Sequence, residues 1–220
     1  MKSTDPLFPY QNLFITARPG MGVSTIVANI VNKYLDEGKK CLVFDAKARP
    51  FLNYADREKV IRENTNIESI RSFPLFEEYG DLIVAYNRFI FSDVLLSVVE
   101  EKAADIVIYE ENSDMLFKNQ TKELVELAKI LRRKGKIFIF VTHLKRNRNP
   151  FTHTDKNIPS ASRFRKAMPY FDATAIVYRN GYYDEVEEVI EEIRLYERGK
   201  RKYRAVSVEF DFQRQLVKRK

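Results

Sequence analysis

The sequence has a single cysteine, Cys41, and only two histidines, His143 and His153. One cysteine excludes a disulfide within the chain and any zinc site built from several cysteines. Two histidines are too few to build a metal centre unaided, so we expect no resident metal. The longest apolar runs, such as residues 137–141, fall far short of the ~20 residues that span a bilayer. Residues 1–6 lack the apolar segment of a signal peptide. We therefore expect a cytoplasmic protein with no membrane partner.

Internal repeats, low-complexity segments and Gly/Ser-rich linkers are also absent. The chain has 220 residues, of which 45% are apolar, and this length suits one hydrophobic core. We therefore treat residues 1–220 as a single domain.

Charge is unevenly distributed, although the net charge is only +7. Seven Lys and Arg residues lie between positions 145 and 166, beside one acid, and ten more lie between 194 and 220, beside three. An acidic block at 184–192 separates the two basic segments. A solvated surface explains any one such run, but two basic segments in one small chain favour a polyanionic partner.

Buried strands alternate with helices along the first two thirds of the chain. The expected strands are 13–17, 41–44, 106–109 and 137–141. One helix follows the turn at 18–22, is capped by Ser24 or Thr25 and ends at Gly38, and others are expected at 54–64, 82–102 and 119–134. Strands separated by helices predict an α/β fold with a parallel sheet covered on both faces.

The last third changes character. A polar loop (144–159) and a short basic helix (160–168) precede a strand at 173–178. Two alternating runs, 189–196 and 203–212, flank the turn Arg198-Gly199-Lys200. Alternation of this kind predicts antiparallel strands added to the edge of the sheet.

Residues 17–24 form an incomplete phosphate-binding loop. The full pattern, G-x-x-x-x-G-K-[ST], follows a strand and opens a helix, so backbone amides and the helix dipole converge on an anion. Here Ala17 stands at the first glycine and Val23 at the lysine, while Gly22 and Ser24 match. Many strand–helix connections share this pattern, so it does not by itself decide between a phosphate site and a plain turn. The candidate phosphate-binding residues are Arg18, Gly20, Gly22, Ser24 and Thr25.

The segment 13–29, LFITARPGMGVSTIVAN, resembles the P-loop strand and helix of the DnaB-type replicative helicases, whose loop typically reads A-R-P-x-M-G-K-T. Four further segments are similar to that family in the same order: FIFVTHLKR at 138–146, DKNIPSASRFRKAMPYFDA at 155–173, RNGYY at 179–183, and the hairpin at 193–212. The resemblance implies a RecA-like P-loop NTPase fold, with ATP or ADP, Mg²⁺ and single-stranded DNA as ligands. The family's N-terminal helical domain and linker helix have no counterpart before residue 13, so we expect no autonomous ring.

The resemblance also implies that the catalytic positions are degenerate. Val23 replaces the lysine, Tyr109 the magnesium-binding Asp of the Walker B strand, and Lys47 the catalytic glutamate. Loss of all three predicts a pseudo-ATPase, because these groups bind the phosphates and metal and position water. The parts that remain are the Ser24 hydroxyl for magnesium, His143 at the sensor glutamine and Arg198 at the arginine finger.

An active ATP-dependent helicase or translocase remains an alternative. It requires Arg18 or Lys47 to reach a phosphate, and Glu110 or Asp45 to bind magnesium. In that case the chain keeps the family's chemistry with an atypical loop.

The family's DNA-binding loop, R-E-S-G, corresponds here to Arg165-Lys166-Ala167-Met168. The candidate nucleic-acid-binding residues are Lys145, Arg146, Arg163, Arg165 and Lys166. Tyr170 and Phe171 either stack on bases or pack in the core, and we favour the core. Single-stranded DNA is therefore the expected partner, with an active RecA-fold helicase as a second candidate. A third hypothesis is a protein-interaction module without nucleic acid, which uses the acidic block and the basic tail.

Overall fold

The computed structural model describes residues 10–17, 23–45, 75–79, 81–86, 92–110, 120–143, 166–179, 191–200, 202 and 204–208. Within them the strands are β1 (Asn12–Ala17), β2 (Cys41–Asp45), β3 (Leu75–Tyr79), β4 (Leu82–Tyr86), β5 (Ile106–Glu110), β6 (Ile137–His143), β7 (Ala173–Arg179), β8 (Glu191–Glu197) and β9 (Arg204–Val208). The helices are α1 (Val23–Asp36), α2 (Ser92–Glu101), α3 (Gln120–Arg133) and a 3-10 helix, Met168–Tyr170.

All nine strands form one sheet in the order β3-β4-β2-β5-β6-β1-β7-β8-β9. The six strands from β4 to β7 are parallel to their neighbours. β3 is antiparallel at one edge, and β8 and β9 are antiparallel at the other. This arrangement confirms the expected fold class, including the antiparallel C-terminal edge.

Side chains on the two faces of the sheet belong to separate apolar layers. Leu13, Ile15 and Ala17 of β1 face α1, whose apolar stripe from Ile26 to Leu35 is buried against them. Phe14 points the other way, into a layer covered by α2 and α3. Because side chains alternate along a strand, residue parity decides which layer each one joins.

Six aromatic side chains are packed together in the α2/α3 layer: Phe14, Phe44, Tyr109, Phe138, Phe140 and Phe171. The Phe14 ring centroid lies 5.3 Å from those of Phe140 and Phe171, and Tyr109 stacks on Phe140 at 5.9 Å. Phe44 contacts Tyr109 at 6.0 Å. Phe171 is therefore a core residue, as expected.

Tyr170, for which we also favoured the core, is 46% exposed. It lies in the 3-10 helix, with the Lys129 ammonium 5.7 Å from its ring centroid. The three-residue period of that helix turns it away from Phe171.

The helix expected at 82–102 is wrong in its first part. Residues 82–86 form β4, which pairs in parallel with β2, and the helix begins only at Ser92. The run Leu-Ile-Val-Ala-Tyr has the branched and aromatic side chains that suit a strand. Pairing with β2 stabilises the strand over a helix. The helix expected at 54–64, the loop at 144–159 and most of the basic helix at 160–168 lie outside the described residues.

The start of α1 also differs from expectation. The helix begins at Val23, so Ser24 and Thr25 belong to its first turn and are not the N-cap. Its end is as expected, since Gly38 adopts φ +73 and the Gly38 N–H donates to the carbonyl of Leu35 at 3.0 Å.

Replacing Phe14 with alanine tests the aromatic layer. Phe14 is fully buried, so Phe14→Ala is expected to lower the free energy of unfolding by about 3–5 kcal/mol. Urea denaturation followed by circular dichroism measures it. Tyr170→Ala is the matched control, because truncating an exposed ring changes stability by only about 0.5 kcal/mol. Equal effects of the two variants would contradict the packing described.

Candidate functional site

The candidate site lies at the edge of the sheet where the parallel strands end, which we call the carboxyl edge. Ala17 at the end of β1 pairs with His143 at the end of β6, and Asp45 of β2 pairs with Glu110 of β5. The chain leaves β1 towards β2 on one side, and β6 connects to β7 on the other. Ligands of open α/β sheets bind at such a switch point.

Val23, which the sequence resemblance places at the P-loop lysine, is packed in the core. It is only 2% exposed and lies in the layer between α1 and the sheet, with Ile26 and Val27. An aliphatic side chain in this position cannot neutralise a phosphate.

Tyr109 and Glu110 at the end of β5 point to opposite faces of the sheet. Tyr109 packs between Phe44 and Phe140 in the α2/α3 layer. Glu110 has the parity of Ile106 and Ile108, which face α1, and it is 9% exposed. The residue at the end of β5 on the α1 face is therefore the carboxylate of Glu110, and Tyr109 is a core residue.

The other candidates at the carboxyl edge are placed by their backbone. Ser24 and Thr25 lie in the first turn of α1, and His143 is the last residue of β6. The structure thus brings the end of β1, the start of α1 and the ends of β5 and β6 to one edge. Of the remaining candidates, Lys166 is exposed immediately before the 3-10 helix. Outside the described residues lie Arg18, Gly20, Gly22, Lys47, Lys145, Arg146, Arg163 and Arg165.

Arg198 lies at the opposite edge of the sheet, which we call the amino edge. Glu197 pairs with Ala173 at the start of β7, whereas Ala17 pairs with Val177. Four residues of β-strand separate these two rows, a distance of about 13 Å. The Arg198 side chain therefore cannot contact a phosphate bound at the carboxyl edge of its own chain.

The turn that carries Arg198 is held by several contacts. The Tyr10 hydroxyl donates to Glu197 Oε1 at 2.6 Å, and the Lys200 ammonium pairs with the other oxygen of the same carboxylate. Burial, followed by the hydrogen bond to Glu197, raises the pKa of Tyr10, and the Lys200 contact lowers the pKa of Glu197. Gly199 adopts φ +80, a conformation that glycine accepts without strain.

Asp172 connects this turn to the body of the sheet. Its carboxylate accepts the Asn12 N–H at 3.0 Å and pairs with Arg132 of α3 at 2.7 Å. Its carbonyl accepts the Arg198 N–H at 2.8 Å. One residue therefore links the start of β1, the end of α3 and the β8–β9 turn.

A cleft of about 320 Å³ opens beside Arg198, on the α2/α3 face of the sheet. We call it the amino-edge cleft. Its lining residues are Met168, Pro169, Phe171, Thr174, Ile176, Tyr196, Glu197, Arg198 and Gly199. The sequence did not predict this cleft, because its walls come from the 3-10 helix, β7 and the end of β8 with the following turn. The only signal was the alternation of Thr174 and Ile176, which places both on one face of β7.

Among the residues that the structure describes, no three His, Cys, Asp or Glu side chains form a group that could hold a metal ion. None of the described helices is long and apolar enough to cross a membrane.

Comparison with known proteins gives a fold without a family assignment. No protein-family model and no curated protein matches the sequence. Among solved structures, the ATPase domain of a DnaB helicase superposes with a TM-score of 0.61 at 15% identity, over 93% of this chain and 83% of that one. A KaiC-like protein of the hyperthermophilic archaeon Pyrococcus horikoshii OT3 gives 0.55 at 14% identity, over 92% and 87%. The chain is thus similar in structure to these proteins and has the RecA-like fold that the sequence resemblance implies.

Proposed function

We propose that this chain is a catalytically degenerate relative of DnaB-type helicase domains that does not hydrolyse ATP. It acts in DNA replication or maintenance, in the cytoplasm, through single-stranded DNA. In this proposal all 220 residues form one RecA-like domain.

The observation that carries the proposal is the burial of Val23. In P-loop enzymes the lysine at this position cradles the β and γ phosphates. Here the first turn of α1 sends an aliphatic side chain into the core. Backbone amides and the helix dipole still favour an anion at this end of α1. They do not replace the lysine ammonium, which stabilises the γ phosphate while it is transferred.

The carboxyl edge provides an oxygen ligand for Mg²⁺, whereas Val23 provides no positive charge for the triphosphate. Glu110 provides a carboxylate on the α1 face at the end of β5, and a hard divalent cation prefers such oxygen ligands. Glu110, together with the Ser24 hydroxyl, would hold the ion of a bound Mg–nucleotide. Binding of ATP or ADP without turnover is therefore compatible with the proposal.

Turnover of ATP is expected to stay at background with Mg²⁺ and single-stranded DNA present. Steady-state phosphate release measures this, beside calorimetric titration with ATP and ADP, with and without Mg²⁺. Glu110→Gln should leave the background rate unchanged, and an active RecA-fold ATPase in parallel controls the assay. Turnover that is above background and is lost in Glu110→Gln would show instead an active enzyme that uses Glu110 as its metal ligand.

Single-stranded DNA is the partner that the basic segment 145–166 favours. Lys166, the last residue of this segment, is exposed at its junction with the 3-10 helix. Arg163 and Arg165 stand two residues apart just before it. Each phosphate contact by such a residue releases counterions, which makes the affinity depend on salt.

The variant Arg163→Ala/Lys166→Ala is expected to weaken binding of an oligo-dT strand and to reduce the slope of log K against log salt by about 1.4, at about 0.7 per phosphate. Fluorescence anisotropy over a salt series measures it. Lys39→Ala/Lys122→Ala removes the same charge from exposed positions elsewhere and should leave the slope unchanged. If the wild-type chain fails to bind at any salt concentration, the nucleic-acid-free interaction module becomes the better hypothesis.

A second candidate function is action on an active RecA-fold partner. It is favoured by the position of Arg198, which is exposed at the amino edge. Among the described residues no carboxylate pairs with its guanidinium. An arginine at this edge is available to a nucleotide held by a neighbouring chain, and an arginine finger supplied in trans is worth 10³–10⁵ in rate.

Adding this chain to an active DnaB-type helicase is then expected to change the helicase's ATP turnover, and Arg198→Ala should abolish the change. A coupled ATPase assay with the two proteins mixed measures it. Lys122→Ala, which removes an exposed charge from α3, is the matched control. An unchanged turnover with the wild-type chain would exclude that helicase as the partner, and an effect that survives Arg198→Ala would exclude the finger role.

A further inference from the structure

The amino-edge cleft has the volume and lining of a small-ligand site. Its volume of about 320 Å³ is at the lower end of the range for ligand pockets. Phe171, Thr174 and Ile176 are buried residues. Met168 and Pro169 border one side, and Tyr196 to Gly199 border the other.

The lining suits a flat aromatic ring. Most of it is apolar, Tyr196 contributes an aromatic side chain, and Thr174, a residue that is 6% exposed, contributes a hydroxyl. Bases of single-stranded nucleic acids bind proteins by stacking on such side chains, with little dependence on sequence. A nucleobase therefore matches the polarity of this lining.

The charges around the mouth of the cleft suit a phosphate. Arg198 lines the cleft and is exposed. Among the lining residues the acid is Glu197, whose carboxylate is engaged by Tyr10 and Lys200, so its charge is compensated. The positive charge of Arg198 then favours a nucleic-acid backbone.

The cleft also adjoins the proposed DNA-binding segment in the sequence. Lys166 is exposed and lies two residues before Met168, which lines the cleft. The turn carrying Arg198 is fixed by the Arg198 N–H bond to Asp172 and by the Tyr10–Glu197 bond. A guanidinium on such a preorganised turn loses less freedom when it binds.

We propose that the amino-edge cleft receives a base of single-stranded DNA, with Tyr196 against the base and Arg198 on the adjoining phosphate. This inference rests on the proposed binding of single-stranded DNA and adds a base-binding subsite on the face of the sheet covered by α2 and α3. A protein segment with an apolar side chain and a carboxylate is the competing occupant, and the experiment below separates the two.

The experiment compares an oligo-dT strand with an abasic strand of the same length and charge, both measured by fluorescence anisotropy. The wild-type chain is expected to bind oligo-dT at least about fivefold more tightly, because stacking of one base contributes this much. Tyr196→Leu should remove that preference and leave the affinity for the abasic strand unchanged. Tyr196→Phe, which keeps the ring, should retain it.

Arg198→Ala should weaken binding of both strands and reduce the salt slope by about 0.7, and Lys122→Ala should do neither. If Tyr196→Leu does not fold, photocrosslinking of an oligonucleotide containing 5-iododeoxyuridine to the wild-type chain replaces it. Crosslinks within residues 168–176 or 196–199 support the proposal, and crosslinks confined to other segments overturn it.

The failures are distinguishable. If neither strand binds, the proposed function fails and the subsite fails with it. If both strands bind equally, or if Arg198→Ala changes nothing, single-stranded DNA binding stands and the cleft is not its base-binding subsite. In that case a protein segment becomes the better occupant.

Discussion

The alternation of side chains along the central parallel strands is the constraint on which the rest of the structure depends. Even-numbered residues of β1 and β6 enter the aromatic layer under α2 and α3, and odd-numbered ones pack against α1. A shift of one residue in any of these strands would exchange the two layers. The same parity decides which residue at the end of β5 faces the candidate site, so core packing and site chemistry are fixed together.

Most of the fold was predictable because its signals are local. The apolar period of α1, the glycines at 38 and 135 and the alternation in β8 and β9 each fix an element within a few residues. β4 was not predictable in this way, since apolar residues recur throughout 82–102 with spacings that suit both a helix and a strand. Pairing with β2 decides its structure, and that contact is invisible in the sequence. β3 depends on β4 in turn.

The candidate site was predictable only in part, because side-chain direction and packing between distant segments decide the rest. Aligning the end of β5 by its apolar run placed Tyr109 at the metal position. The sheet instead assigns Tyr109 to the core and turns Glu110 towards α1. The assignment of Val23 to the lysine position rests on its spacing from Gly22 and Ser24 in the sequence, and it stays a prediction. The amino-edge cleft needed the packing of the 3-10 helix against β7 and β8.

The two edges of the sheet therefore carry different groups, and this bears on the proposal that the chain binds its partner without hydrolysing ATP. At the carboxyl edge the aliphatic side chain of Val23 is packed in the core at the start of α1. At the amino edge, Asp172, Tyr10 and Glu197 still hold the Arg198 turn against the sheet. Binding needs a preorganised surface and no transferred group. Under that proposal a chain can lose the groups for catalysis and keep those for recognition, because the two edges of the sheet lie about 13 Å apart.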